Sequence, residues 1–138
     1  RSTTLKYKLE NNKCEPTRKH DADAGVDLRS TVEVDLLPYQ EIKIPLGIKT
    51  EIPVGYFALI VPRSGLGSQG LVLKNTVGII DTSYRGEWMA MVKNVSQDTD
   101  IKISVGDRIC QAVLIPCSLQ PWISVDSVAK VGYVVASG

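Results

Sequence analysis

The chain has 138 residues, a net charge of +1 and 43% hydrophobic residues, enough for one domain with a real core, and neither a disordered nor a membrane-embedded composition. No apolar run approaches the roughly 20 residues of a spanning helix, and Arg1-Ser2-Thr3-Thr4-Leu5 shows no signal-peptide core. No basic block exceeds Arg18-Lys19-His20, so neither a membrane nor direct binding of duplex nucleic acid is expected.

Val and Ile together far outnumber Leu, and Gly and Pro punctuate the chain, which favours short strands and tight turns. Leu5-Lys6-Tyr7-Lys8-Leu9 alternates apolar and charged residues, the period of a half-exposed strand. Asn11 to His20 reads as a loop. Asp21-Ala22-Asp23-Ala24-Gly25-Val26-Asp27 gathers three carboxylates. It is no EF-hand, because the glycine falls one place early and Val32 stands where the bidentate Glu belongs. A Mg²⁺ held mainly by substrate phosphates and waters needs only one or two carboxylates, and Asp27, between Val26 and Leu28, is the best placed. Asp21 and Asp23 read as a solvated acidic loop. Thr31 to Leu36 alternates again, Leu37-Pro38-Tyr39-Gln40 breaks it, and Ile42, Ile44, Leu46 and Ile48 resume it, with Pro45 marking an edge or a bulge. Tyr56 to Val61 is a mostly apolar strand.

Pro62-Arg63-Ser64-Gly65 then makes a turn rich in backbone N–H groups, with a guanidinium and a hydroxyl beside it. Such a nest suits phosphate oxygens; an ordinary glycine-rich connection is the alternative. Gly65-Leu66-Gly67-Ser68-Gln69-Gly70 fits G-x-G-x-x-G, but strand-like Leu71 to Val77 follows where a dinucleotide site needs a helix. Val77 to Ile80 reads as a buried strand and Glu87 to Val92 as its hairpin partner, with Thr82-Ser83 near the tip. Asp81 then sits at the mouth of the hairpin, partly shielded from water, where a carboxylate can serve as a general base. The competing reading has Asp81 only capping the turn. Ile101 to Ile103 and Arg108 to Ile115 are further strands, and Trp122 to Val125 is a candidate for one more. Arg108 and Gln111 lie three apart, so they face opposite sides of their strand: Arg108 can brace a buried carboxylate while Gln111 meets a ligand. No window shows a capped helical stripe, and strands recur about every ten residues, the spacing of an all-β sandwich or barrel. Cys14, Cys110 and Cys117 are odd in number and lack metal-ligand spacing. They read as reduced thiols of a cytoplasmic or other reducing intracellular compartment, not of a secreted protein. Asn94-Val95-Ser96 matches a glycosylation sequon by chance.

Four stretches, in order, resemble the trimeric deoxyuridine triphosphatases (dUTPases). Ala24-Gly25-Val26-Asp27-Leu28 looks like the first motif of that family and Pro62-Arg63-Ser64-Gly65-Leu66-Gly67 like the second. Gly78-Ile79-Ile80-Asp81-Thr82-Ser83-Tyr84-Arg85-Gly86 looks like the third, and Gly106-Asp107-Arg108-Ile109-Cys110-Gln111 like the fourth. The resemblance implies a single all-β domain over residues 1–138, a distorted jelly-roll-like β-barrel. Residues 24–116 are its motif-bearing core and residues 126–138 a C-terminal arm. It implies a homotrimer with shared active sites, converting dUTP to dUMP and pyrophosphate with Mg²⁺. Asp81 would deprotonate the attacking water. Arg63, Ser64, Gly65 and Gln111 would hold phosphates, and Asp27 the waters on Mg²⁺. Asn75 and the backbone of Ile79 and Ile80 would read uracil, Tyr84 would pack on the deoxyribose, and Met89 would line the pocket. Arg108 would be a structural residue near the site.

The fifth motif of the family, an Arg-Gly before a glycine-rich stretch with a Phe, is not matched. Ala129-Lys130-Val131-Gly132-Tyr133 offers Tyr133 to stack on the base, and no arginine follows Arg108. Lys130 lacks the fork of a guanidinium. Ser83 also replaces a common acidic residue of the third motif. Two other readings are a non-catalytic binding or regulatory protein on the same fold, supported by the altered tail, and a dCTP deaminase-type enzyme. The deaminase needs a catalytic Glu, for which only Glu87 is near. Pyrophosphate release from dUTP separates the three.

Overall fold

The computed structural model of the chain describes residues 4–63, 69–75 and 78–131. Those residues form eleven strands and no α-helix: β1 (Lys6–Leu9), β2 (Val26–Arg29), β3 (Val34–Leu36), β4 (Glu41–Pro45), β5 (Ile48–Glu51), β6 (Tyr56–Pro62), β7 (Leu71–Leu73), β8 (Gly78–Ile80), β9 (Met89–Asn94), β10 (Ile101–Ile103) and β11 (Arg108–Pro116). They pair as β2-β11-β6-β8, β4-β9-β7, β1-β5 and β3-β10. All pairs are antiparallel. Three of them nest: β4 with β9 lies inside β3 with β10, which lies inside β2 with β11. A long antiparallel ribbon folded back on itself gives this order, the logic of a jelly roll.

Alternation puts the core in place. In β5, Ile48 and Thr50 are buried while Lys49 and Glu51 face water. Ala90, Val92 and Asn94 point inward from β9, and Ala90 and Val92 join Ile44 of β4 and Leu71 and Leu73 of β7 in one cluster. Trp88 is fully buried, and its Nε1 donates to Thr50 Oγ1 at 3.0 Å; an indole is stable in a core when its N–H finds such a partner. Asn94 is wholly buried and completely satisfied. Its Nδ2 donates to the carbonyls of Leu36 and Thr99, and its Oδ1 accepts from the N–H and hydroxyl of Ser96. The amide that would carry a sugar in the Asn94-Val95-Ser96 sequon is therefore out of reach. An apolar cavity of about 460 Å³, lined by Leu5, Val26, Leu28, Ala58 and Trp88, opens beside Tyr7.

Three expectations change. First, the Asp81 hairpin does not form. β8 pairs with β6 (Ala58↔Ile80, Ile60↔Gly78), whereas β9 takes β4 and β7 as neighbours. The chain crosses between sheets from Asp81 to Trp88. Thr82 Oγ1 donates to Ile52 O at 2.6 Å, Gly47 N–H donates to Glu87 Oε2 at 3.0 Å, Leu46 N–H donates to Trp88 O at 2.8 Å, and Trp88 N–H donates to Ile48 O at 3.0 Å. Two apolar runs a few residues apart are compatible with a hairpin or with a crossover. The partners each strand finds elsewhere in the chain decide between them. Second, Trp122 to Val125 is no strand. Trp122 is 100% exposed and the segment makes no ladder. Third, Arg108 and Gln111 share a face. Arg108 opposes Arg29, Cys110 opposes Leu28 and Gln111 opposes Asp27, so Ile109 is an extra residue in a β-bulge. A bulge resets the two-residue alternation, and both Ile109 and Cys110 are buried. Val26–Arg29, a strand with no clear sequence signal, is what Gln111 and Arg108 pair against. Pro45 does end an edge strand, because β4 lies at the margin of its sheet.

Candidate active site

Residues 17–27 form a loop closed on itself. Thr17 N donates to Asp27 O at 3.2 Å and Asp27 N to Thr17 O at 2.7 Å. Within it, Arg18 Nε donates to Asp23 O at 2.9 Å, Asp23 N to His20 O at 3.0 Å, and His20 N to Asp23 Oδ2 at 3.1 Å. Asp23 thus holds the turn together. The loop delivers Asp27 to the start of β2, opposite Gln111.

Asp27 lies between two guanidiniums. Arg63 Nε sits 3.0 Å from Oδ1 and Arg108 Nη1 3.7 Å from Oδ2. Only 15% of the Asp27 side chain is exposed, and a carboxylate so far out of water needs such partners. Arg63 is thereby fixed through Nε, which leaves its outer N–H groups directed elsewhere. Gln111 Nε2 donates to Pro62 O at 3.1 Å, holding the amide across the end of β6. Gly25 makes room for it: a Cβ there would collide with Gln111 Oε1. Lys19, Asp23, Gly25, Asp27, Arg63 and Gln111 line one polar concavity of about 420 Å³. Cys110 lies on the inner side of the same strand. Burial, reinforced by the charge of Asp27 against the counter-effect of Arg63, pushes its thiol up to about 12.

A second group gathers at the sheet edge. Ile79, 64% exposed, and Ile80 lie on β8, and Asp81 follows in an exposed turn. Asp81 is open to water on the single chain rather than shielded by a hairpin. Its carbonyl accepts from Tyr84 N at 3.0 Å, but its carboxylate has no hydrogen bond or ion pair among the described residues. Tyr84 OH donates to Glu87 O at 2.9 Å, which lays the ring over Gly86, where a Cβ would stand 2.6 Å from the hydroxyl. Asn75 lies at the head of β8, its Nδ2 3.7 Å from a Cβ built on Gly78. Met89 opens β9 opposite Pro45. Ser64, Gly65 and Tyr133 lie outside the described residues.

The register separates the two groups. Ala58 pairs with Ile80, so Asp81 stands level with Phe57, six strand positions from Arg63; at 3.2–3.4 Å per position that is about 20 Å. One chain therefore does not bring its Asp81 and its Arg63 to the same phosphate group. The sequence also passed over Lys19 as a feature of the site; the Thr17–Asp27 bridge that brings it there is not visible in composition or spacing.

Known proteins resemble this chain in sequence and in fold. The dUTPase family profile matches residues 11–132. The deoxyuridine 5'-triphosphate nucleotidohydrolase of Mycolicibacterium gilvum is 42% identical over 118 residues, 85% of this chain and 77% of its own length. That of Leifsonia xyli is 38% identical over 113 residues, 81% of this chain and 74% of its own. Among solved structures, a dUTPase variant of Staphylococcus bacteriophage 80alpha with dUpNHpp superimposes with a TM-score of 0.84 at 28% identity, covering 95% of this chain and 93% of that one. A variant dUTPase from phage phi11 of S. aureus, described with a structural Mg(II) ion, gives 0.83 at 26% identity, over 93% and 100%. The match runs over both clusters of site residues and most of the chain between and around them, and the chain belongs to the dUTPase family.

Proposed function

We infer that the chain hydrolyses dUTP to dUMP and pyrophosphate, limiting the uracil available to DNA synthesis. The observation that carries this is the pairing of two half-sites. A carboxylate without a partner among the described residues, Asp81, follows an exposed strand edge, and a guanidinium held by a carboxylate faces a polar concavity elsewhere. Asp81 orients and deprotonates the water that attacks the α-phosphorus in line. The Ile79–Ile80 backbone and Asn75 read the uracil edge, and Tyr84, its hydroxyl already bonded to Glu87 O, packs on the deoxyribose. Met89 lines the pocket. Arg63 and Gln111, with Ser64 and Gly65, hold the phosphates, and Tyr133 stacks on the base. Arg108 reaches Asp27 and steadies the carboxylate that aims Arg63.

The separation of about 20 Å along β6 supports a homotrimer in which Asp81 of one copy faces Arg63 of another. Trp122, Ile123 and Val128, 80–100% exposed, and the open apolar cavity are surfaces that such neighbours would cover. The donor set suits Mg²⁺ of the phosphate-held kind. Asp27 and Asp23 line the concavity, and no cluster of three or more His, Cys, Asp or Glu among the described residues forms an all-protein cage. Asp27 would hold the waters on the ion, since two guanidinium contacts leave lone pairs on its oxygens. When bound, Mg²⁺ neutralises charge on the phosphates. Glu87 is committed to Gly47 N–H, which weighs against its use as the acid of a deaminase. Three free thiols, two of them buried, suit a reducing intracellular compartment, and no helix among the described residues is long and apolar enough to cross a membrane.

The test is pyrophosphate release from dUTP with Mg²⁺, against dCTP and UTP as controls. Release from dUTP alone is expected. Tight dUTP binding without release would make the chain a binding protein, and ammonia from dCTP would make it a deaminase.

A further inference from the structure

We propose that Lys19 binds the terminal phosphate of the substrate. This rests on the dUTP reading above and adds to it a residue outside all four motifs. Four charged side chains line the concavity: Lys19, Asp23, Asp27 and Arg63. Three have partners already. Asp27 bonds Arg63 at 3.0 Å and faces Arg108 at 3.7 Å, and Asp23 accepts the backbone N–H of His20. Gln111, the remaining polar side chain, has its amide donor on Pro62 O. Lys19 is the one cation of the lining that has no ion pair among the described residues.

Its place is fixed by the fold of its loop rather than by a contact of its own. The Thr17–Asp27 bridge closes the loop on one side, and the Arg18–Asp23 and His20–Asp23 bonds tie it across. Lys19 stands between these ties. Its ammonium is therefore carried on a braced turn at the rim, while Arg63 lies at the floor, 25% exposed and anchored on Asp27. A triphosphate entering such a concavity meets Arg63 with one phosphoryl group and needs a cation for the charge farther out. A flexible stem with three donors on a point charge suits a terminal phosphate, which has no fixed plane to match. The chemistry recognised is the nucleoside triphosphate tail, not the base or sugar.

The measurement compares the Kd of α,β-imido-dUTP with that of dUMP by calorimetry, in the full chain with Mg²⁺. Lys19→Ala is expected to weaken the triphosphate analogue at least about tenfold, the weight of a charge-assisted hydrogen bond, and to leave dUMP within twofold. Lys19→Arg should restore most of the loss, and Lys43→Ala, an exposed lysine on β4, should change neither ligand. Equal loss for both ligands would make Lys19 a support of the loop, and no loss for either would remove it from the site; both overturn the proposal. If the unaltered chain turns over dUTP while Lys19→Ala binds both ligands normally, the Lys19 assignment alone falls. If the unaltered chain neither binds nor turns over dUTP, the dUTP reading falls and the assignment with it.

Discussion

Replacing Asp81 with Asn removes one proton acceptor and little else. The side chain is exposed and carries no ion pair among the described residues, so the fold does not depend on its charge. Asp81→Asn should keep the Kd for α,β-imido-dUTP within a few fold while kcat drops by at least about 10²-fold, the usual share of a general base. A kcat close to that of the unaltered chain would take Asp81 out of the chemistry. Tyr84 belongs to a different kind of task. With its hydroxyl tied to Glu87 O and its ring over Gly86, it is a rigid wall, and a wall rejects a 2′-hydroxyl by shape. Tyr84→Ala should raise kcat/KM for UTP relative to dUTP; an unchanged ratio would assign the sugar gate to another residue.

Between elements, the turn from β3 to β4 shows what a local rule can settle. Pro38 precedes Tyr39, and Gln40 N–H donates to Leu37 O at 3.0 Å. Tyr39 has φ of 66°, the third-position requirement of a type II turn, which Gly or Asn meets without strain. Tyr39→Asn should therefore raise the unfolding free energy by up to about 1 kcal/mol, read as a higher midpoint in urea at constant slope. Most of the strands were legible in the same local way, through the alternation in β1, β4 and β10, although the run read from Ile42 to Ile48 breaks after Pro45 and β5 starts at Ile48. Their partners were not. The hairpin placed around Asp81 satisfied every local rule and failed because its two arms pair with strands distant in the chain, one with β6 and the other with β4 and β7. The bulge at Ile109 escaped for a related reason: Arg108-Ile109-Cys110-Gln111 reads as plain alternation until a partner strand shows which residue is extra. Motif identity survived both errors. Asp27, Arg63 and Gln111 do come together, although Asp27 turns out to spend its charge on two arginines first.

For the whole molecule, the distance between Asp81 and Arg63 leads to an experiment on mixtures. If each site takes Asp81 from one copy and Arg63 from another, then Asp81→Asn and Arg63→Ala chains are each inactive alone. Refolded together at equal amounts, they should recover about a quarter of the unaltered activity by random assortment in a closed oligomer. Sites confined to single chains would recover nothing. Light scattering on the same samples should report three copies per particle.

The nested pairing of β4 with β9, β3 with β10 and β2 with β11 also sets a clock. The innermost pair joins segments separated by everything from Leu46 to Trp88, and each outer pair spans more chain still. Bringing such distant ends together costs entropy before any ladder rewards it. Once the inner pair has formed, however, the next one closes only short connections, so assembly runs outward from β4 and β9. The chain should refold over milliseconds to seconds, as other sheets built from non-local pairs do. Stopped-flow tryptophan fluorescence should follow it, since Trp88 lies beside the innermost pair and is buried there. Burial of Trp88 within microseconds would mean that the ribbon does not close from its middle.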